Sequence, residues 1–127
     1  MNWRWIDKRA LLLLHAQSLA EHGGRAGMRN EPLLDSALAS PQSMAGYDDP
    51  DCAELAASYG VGIARNRPFV DANKRTAFLA ATMFLSLNGY RLTAAPADAA
   101  VIVYALAGDA VDKMGLADWL RRNSAPR

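Results

Sequence analysis

From Ala77 to Leu87 every residue is apolar except Thr82 and Ser86. A helix that is apolar all round has no side to give to solvent and belongs in a core. This stretch therefore reads as a buried central helix, with Asn88-Gly89 as its stop, and the rest of the chain has to be arranged around it.

Helix punctuation recurs along the remaining sequence, and strand signals are almost absent. Asp7 reads as the cap of a first helix reaching about Glu21, which Gly23-Gly24 ends. Asn30 caps a short second helix with Pro32 in its first turn, and Ser40-Pro41 closes it. Asp49-Pro50 reads as a cap followed by a first-turn proline, starting a third helix that runs to about Asn66 with Leu55, Ala56, Tyr59 and Ile63 as its apolar stripe. Two more helices follow, roughly 96–107 and 115–122, the last with Leu116, Trp119 and Leu120 on one face. Residues 123–127 read as a frayed tail. The fold class is all-α: a single-domain helical bundle, residues 1–127, with about six helices around the buried one.

A chain of 127 residues with 51% hydrophobic content can bury a real core but has little room for a second one. Its net charge of +1 gives no general nucleic-acid footprint. Cys52 has no partner within the chain, which excludes an internal disulfide and fits a reducing compartment. The longest aliphatic run, Leu11 to Leu14, is far short of the roughly 20 residues that cross a bilayer. No signal peptide is evident, because Met1 to Arg9 lead into an amphipathic pattern. The expected location is the cytoplasm, with no membrane partner.

The chemistry gathers in front of the central helix, in Arg67-Pro68-Phe69-Val70-Asp71-Ala72-Asn73-Lys74-Arg75. A polar, proline-containing connection here delivers its last residues to a buried helix start, where unpaired N–H groups and the positive end of the dipole attract anions. Asn73 adds an amide, Lys74 a point charge and Arg75 a bidentate fork, the last two both suited to phosphate oxygens. Asp71 adds the kind of oxygen ligand that, with phosphates, holds Mg²⁺. The loop thus suits a metal–nucleotide. Asp71 also reads as a helix cap, Lys74 and Arg75 as a solvated first turn, and Asn73 as a turn residue, the commoner roles of such residues. Composition and spacing do not decide between these readings.

The same stretch resembles the Fic motif, His-Pro-Phe-x-(Asp/Glu)-(Gly/Ala)-Asn-(Gly/Lys)-Arg, and Lys74 makes it similar to the Doc (death-on-curing) branch of the Fic/Doc family. Further similarity lies in Gly27-Met28-Arg29-Asn30, Leu34-Asp35-Ser36-Ala37, Gly62-Ile63-Ala64-Arg65-Asn66, Asn88-Gly89-Tyr90 and Trp119-Leu120. The resemblance implies a helical bundle whose motif loop joins two central helices. It also implies a kinase-type toxin that transfers the γ-phosphate of ATP to a hydroxyl of a protein, the known target class being translation elongation factor Tu. On this resemblance Asp71 binds Mg²⁺, Asn73 holds a phosphate oxygen, and Lys74 and Arg75 neutralise the phosphates. Fic enzymes with glycine at the Lys74 position transfer AMP instead. Glycine lets phosphate approach the backbone closely, whereas a lysine side chain crowds that approach.

Arg67 stands where the family motif has its general-base histidine. A guanidinium stays protonated and cannot act as a base near neutrality. Loss of a general base typically costs on the order of 10²–10⁴-fold, while positioning and charge neutralisation persist. His15, within the apolar pattern of the first helix, and His22, near its polar end, both read as structural rather than as substitutes. Arg67 marks either an inactivated copy of a toxin, one base change from histidine, or a pseudoenzyme that binds without turnover.

The resemblance further implies a partner: a Phd-like antitoxin whose helical C-terminal segment docks in a groove of the toxin. The self-inhibitory motif (Ser/Thr)-x-x-x-Glu-(Gly/Asn) is absent from the sequence, which favours an external inhibitor. Trp3, Trp5 and the leucines of the first helix read as core, or more weakly as lining of such a groove. Four functions compete: a protein kinase toxin, a Fic-type AMP-transferase, a catalytically silent binding module, and a helix-turn-helix DNA-binding protein. Near-zero charge without a basic recognition helix argues against the last.

Overall fold

A computed structural model describes residues 2–108 and 110–127. Six helices run in the order α1 (Lys8–His22), α2 (Glu31–Tyr47), α3 (Cys52–Asn66), α4 (Asn73–Leu87), α5 (Pro96–Ala107) and α6 (Lys113–Arg122). Two short strands, β1 (Tyr90–Leu92) and β2 (Ser124–Pro126), pair antiparallel, with Arg91 opposite Ala125. The molecule is all-α apart from this ribbon.

Helices α3 and α4 form the centre. α3 packs on α4, α2 and α6, and α4 also touches α1, α5 and β1. Close approach depends on small residues: a Cβ on Gly60 would lie 3.0 Å from Leu116 Cδ2 and 3.4 Å from the Ala77 carbonyl oxygen. Around them Leu11, Leu34, Leu55, Tyr59, Ile63, Phe84 and Leu120 belong to one hydrophobic cluster. α4 buries Thr76, Ala77, Ala80, Ala81, Phe84 and Leu85. It is not enclosed on every side, since Leu79, Thr82 and Met83 are half-buried and Ser86 and Leu87 exposed. The rings of Trp3 and Trp5 pack tilted against Phe84, with centroids 6.0 and 5.8 Å away, which makes both tryptophans core-packing residues.

Several boundaries differ from the sequence reading. Ser40-Pro41 does not close α2, which continues to Tyr47. Pro41 removes one N–H, but Leu38, Pro41 and Met44 lie on one buried face, and burial of that face outweighs a lost hydrogen bond. The cap of α3 is Asp51, not Asp49. Asp51 accepts from the Glu54 N–H while Glu54 accepts from the Asp51 N–H, a reciprocal box that satisfies two otherwise unpaired donors. Asp112 caps α6, so that helix begins at Lys113. Residues 123–127 are not frayed: Ser124–Pro126 form β2, and beside it the Arg127 N–H reaches the Gly89 carbonyl at 2.9 Å. Backbone pairing and the 2.7 Å bond from Arg127 Nη1 to Ser86 Oγ hold the tail down. Cys52 is free and buried, and burial pushes its thiol up to about 11. Among the described residues no helix is long and apolar enough to cross a membrane.

Candidate active site

The turn between α3 and α4 is built by backbone reversal rather than by side-chain caps. α3 ends at Arg67, whose left-handed backbone (φ 47°, ψ 57°) swings the chain out while its N–H still reaches the Ile63 carbonyl. Ala72 is left-handed as well (φ 64°) and turns the chain into α4. Asn73 staples the loop from inside: its Oδ1 accepts from the Phe69 N–H and its Nδ2 donates to the Phe69 carbonyl, both at 2.9 Å. One N–H of that amide remains beyond the staple.

Residues 23–30, between α1 and α2, hold the loop from outside. Pro68 accepts from the Arg29 and Asn30 N–H groups at 2.7 and 2.9 Å, and the Val70 N–H reaches Gly27 at 3.0 Å. The Arg29 side chain forks onto the carbonyls of Arg67 (2.6 Å) and Asn66 (2.7 Å), satisfying acceptors at the open C-terminal end of α3. Arg75 Nη2 holds the Gly23 carbonyl at 2.8 Å, tying the end of α1 to the start of α4. Gly24 allows this approach: it sits at φ 123°, and a Cβ there would lie 2.9 Å from Leu19 Cδ2 and 3.0 Å from Asp71 Oδ2.

Asp71 is not the cap of α4. Its Oδ2 accepts from the Arg25 N–H at 3.1 Å and its Oδ1 from the Ala72 N–H at 2.9 Å. These donors, Arg25 first and then Ala72, hold the carboxyl below the ordinary carboxylate range, so it is ionised at neutral pH. Each oxygen retains acceptor capacity beyond its single N–H. α4 has no side-chain cap, and its first intrahelical bond runs from the Thr76 N–H to the Ala72 carbonyl. The N–H groups of Asn73, Lys74 and Arg75 therefore stand ahead of the helical ladder at the positive end of the dipole.

A cleft of about 560 Å³ opens at this point, lined by His22, Gly23, Gly24, Arg67, Asp71, Asn73, Lys74 and Arg75 among others. The structure thus brings together all five residues singled out from the sequence. Arg67 and Lys74 are exposed, and neither side chain has a hydrogen bond or ion pair among the described residues. Three cations face one carboxylate, which gives the cleft a positive balance suited to anions. Among the described residues no three His, Cys, Asp or Glu side chains gather to hold a metal. Asp71 by itself suits a hard cation that takes its remaining oxygens from phosphates and water.

Two histidines read from the sequence as structural differ in their placement. His15 is buried under the loop, its ring stacked on Phe69 at 3.7 Å and its Nε2 2.9 Å from the Asp71 carbonyl oxygen. The available signal was a titratable side chain inside the buried stripe Leu11, His15, Ser18, since a buried polar group there demands a partner. His22 lies on the wall of the cleft itself. Nothing in its sequence context signals this. Arg29 was noted only for its resemblance, and its role as a clamp on the end of α3 depends on the fold.

Against known proteins, the profile of the Fic/DOC family matches residues 5–85. Over 120 residues, 94% of this chain and 94% of the relative, the sequence is 34% identical to the protein kinase doc of Escherichia phage P1. Over 84 residues it is 44% identical to the toxin Doc of Mycolicibacterium smegmatis (strain ATCC 700084 / mc(2)155), covering 65% of this chain and 64% of that one.

Proposed function

The chain belongs to the Fic/DOC family, and on that premise we propose that it is a Doc-like toxin of a toxin–antitoxin pair, acting in the cytoplasm as a slow, kinase-type phosphotransferase. The observation that carries this reading is the cationic cleft at the uncapped start of α4, with an ionised carboxylate beside it. ATP is the donor and a hydroxyl of a protein of the elongation factor Tu class the acceptor.

The first-turn N–H groups of α4, with Lys74 and Arg75, receive the phosphates and offset their charge. Asp71 would hold Mg²⁺, which supplies further neutralisation of the phosphates when bound. Asn73 acts chiefly by fixing the loop, and its remaining N–H points the same chemistry at one more oxygen. Arg67 takes the position of the motif histidine and removes that base, so transfer leans on positioning and electrostatics, on the order of 10²–10⁴-fold below a histidine form.

A second reading rests on Arg67 itself. An exposed guanidinium, unpaired among the described residues, adds a third cation to the cleft and suits a silent module that binds nucleotide, antitoxin or both without turnover. AMP transfer is the least favoured enzymatic reading, because Lys74 stands on the first turn of α4 where the AMP-transferring enzymes have glycine. The expected partner is a Phd-like antitoxin. The exposed Leu12 and Leu13 on α1 offer it apolar contact.

The deciding experiment measures label transfer from γ-labelled ATP to purified elongation factor Tu, with α-labelled ATP alongside, for the native chain, Arg67→His, and Arg67→His with Asp71→Ala. The backbone accepts the substitution: φ 47° is a region that histidine enters more readily than most residues. Transfer of the γ label that rises with Arg67→His and disappears with Asp71→Ala supports the kinase reading. Transfer of the α label replaces it with AMP transfer. Silence of Arg67→His with both labels leaves the binding module.

A further inference from the structure

We propose that His22 is the proton acceptor that remains in this cleft, a catalytic residue supplied by α1 in place of the one missing at Arg67; the proposal rests on the phosphotransferase reading above. The argument begins with what lines the cleft. Arg67, Lys74 and Arg75 are cations, Asn73 is a neutral amide, and Gly23, Gly24, Ala64, Val70 and Ala72 have no side chain that takes a proton. Asp71 already accepts the N–H groups of Arg25 and Ala72 and is the carboxylate available to Mg²⁺. That leaves one imidazole.

Its position is built rather than incidental. His22 is the last residue of α1, and the next residue, Gly23, is held through its carbonyl by Arg75 at 2.8 Å. Gly24 then abuts Asp71, with room for nothing larger. The clamp thereby carries His22 to the mouth of the anion site. The charged groups around it are Glu21 on its own helix and Arg67, Asp71, Lys74 and Arg75 across the cleft. His22 Nε2 is 3.8 Å from Glu21 Oε2, beyond a hydrogen bond, and no other partner engages the ring among the described residues. A neutral imidazole has one ring nitrogen free to accept a proton.

In the proposed step the acceptor hydroxyl oxygen forms a bond to the γ-phosphorus, and the bond from that phosphorus to the β–γ bridging oxygen breaks with its electron pair leaving on ADP. The hydroxyl proton passes to a ring nitrogen of His22 and from there to water. The balance is ATP and an alcohol giving ADP, a phosphate monoester and a proton.

The test is a double-mutant cycle on the γ-label transfer to elongation factor Tu, using native chain, His22→Gln, Arg67→His and both together, with imidazole added to His22→Ala. His22 is exposed, so thermal melts of the His22 variants should overlay the native melt. The expected result is a loss of at least about tenfold from His22→Gln in the native background, a loss at least tenfold smaller beside Arg67→His, and partial recovery of His22→Ala by imidazole. Equal rates for native and His22→Gln overturn the proposal. So does an active Arg67→His beside a native chain no faster than Arg67→His with Asp71→Ala, which leaves the phosphotransferase reading intact. Silence of Arg67→His removes that reading and this proposal with it.

Discussion

His15 Nε2 lies 2.9 Å from the carbonyl oxygen of Asp71, which joins the middle of α1 to the motif loop 56 residues later. A carbonyl only accepts, so Nε2 carries the hydrogen, and the ring lies flat on Phe69 with planes 9° apart. The backbone of the loop's carboxylate residue is thus held by a buried side chain from another element. Replacing His15 by Leu keeps an apolar body but leaves the Asp71 carbonyl without its donor. Denaturant unfolding should show a loss of about 1–3 kcal/mol. In the Arg67→His background, transfer should fall on the order of 10²-fold, because a loop displaced by about 1 Å misplaces the phosphates. Unchanged transfer would detach His15 from the site.

Ala72 enters α4 at φ 64°, where an L-residue other than glycine is strained by about 1–2 kcal/mol. Glycine removes that strain but has more freedom to lose on folding, about 0.4–1 kcal/mol. Ala72→Gly should therefore be neutral to stabilising, by no more than about 1 kcal/mol in chemical denaturation. Ala72→Val, branched at Cβ, should be clearly destabilising. A stabilised valine variant would mean that the turn is not left-handed.

Asp51 caps α3 and also meets Arg121 Nε at 2.8 Å, linking α3 to α6. Burial works against its ionisation, but Arg121 and the Glu54 N–H outweigh that and leave the carboxyl below its ordinary 3.8. With the folded value below the unfolded one, the stability it contributes is fully present above about pH 4 and is lost as pH falls through the depressed value. Asp51→Ala should cost about 1 kcal/mol at pH 7, and Asp51→Asn, which still caps, less. The difference between native and Asp51→Ala should narrow as acid approaches pH 3. A constant gap would show that the carboxylate's charge plays no part.

Tyr59 is buried on α3, and its hydroxyl accepts the buried N–H of Ile6 at 3.1 Å, anchoring the segment before α1. Tyr59→Phe preserves the ring contact with Phe84, at 5.4 Å between centroids, and orphans that donor. A loss of about 1–3 kcal/mol is expected in denaturant, with faster hydrogen exchange at Ile6. Exchange at Ile6 as slow as in the native chain would show that another group satisfies it.

Much of the architecture was legible from sequence because its signals are local. The apolar run at Ala77–Leu87, the capping side chains Asp7 and Asn30, and the Asn88-Gly89 stop each act within one or two helical turns. The five motif residues sit within nine positions, so their joint arrival at the start of α4 follows from chain continuity. Where a local signal met burial, burial prevailed: Pro41 sits inside α2 because Leu38 and Met44 share its buried face. The order of residues 123–127 depends on β1, more than thirty positions earlier, and no local pattern encodes that pairing. His15 and His22 on α1, with Arg25 and Arg29 from the segment between α1 and α2, reach the site through hydrogen bonds to the Asp71 and Arg67 carbonyls and the Asp71 carboxylate and through the clamp of Arg75 on Gly23. The sequence by itself determined the helices, the core stripe and the chemistry of the loop, since spacing and residue type suffice for those. Only the tertiary structure decided which distant groups hold the loop and share its cleft, because backbone carbonyls and N–H groups are identical at every position and become specific only when folding brings them face to face.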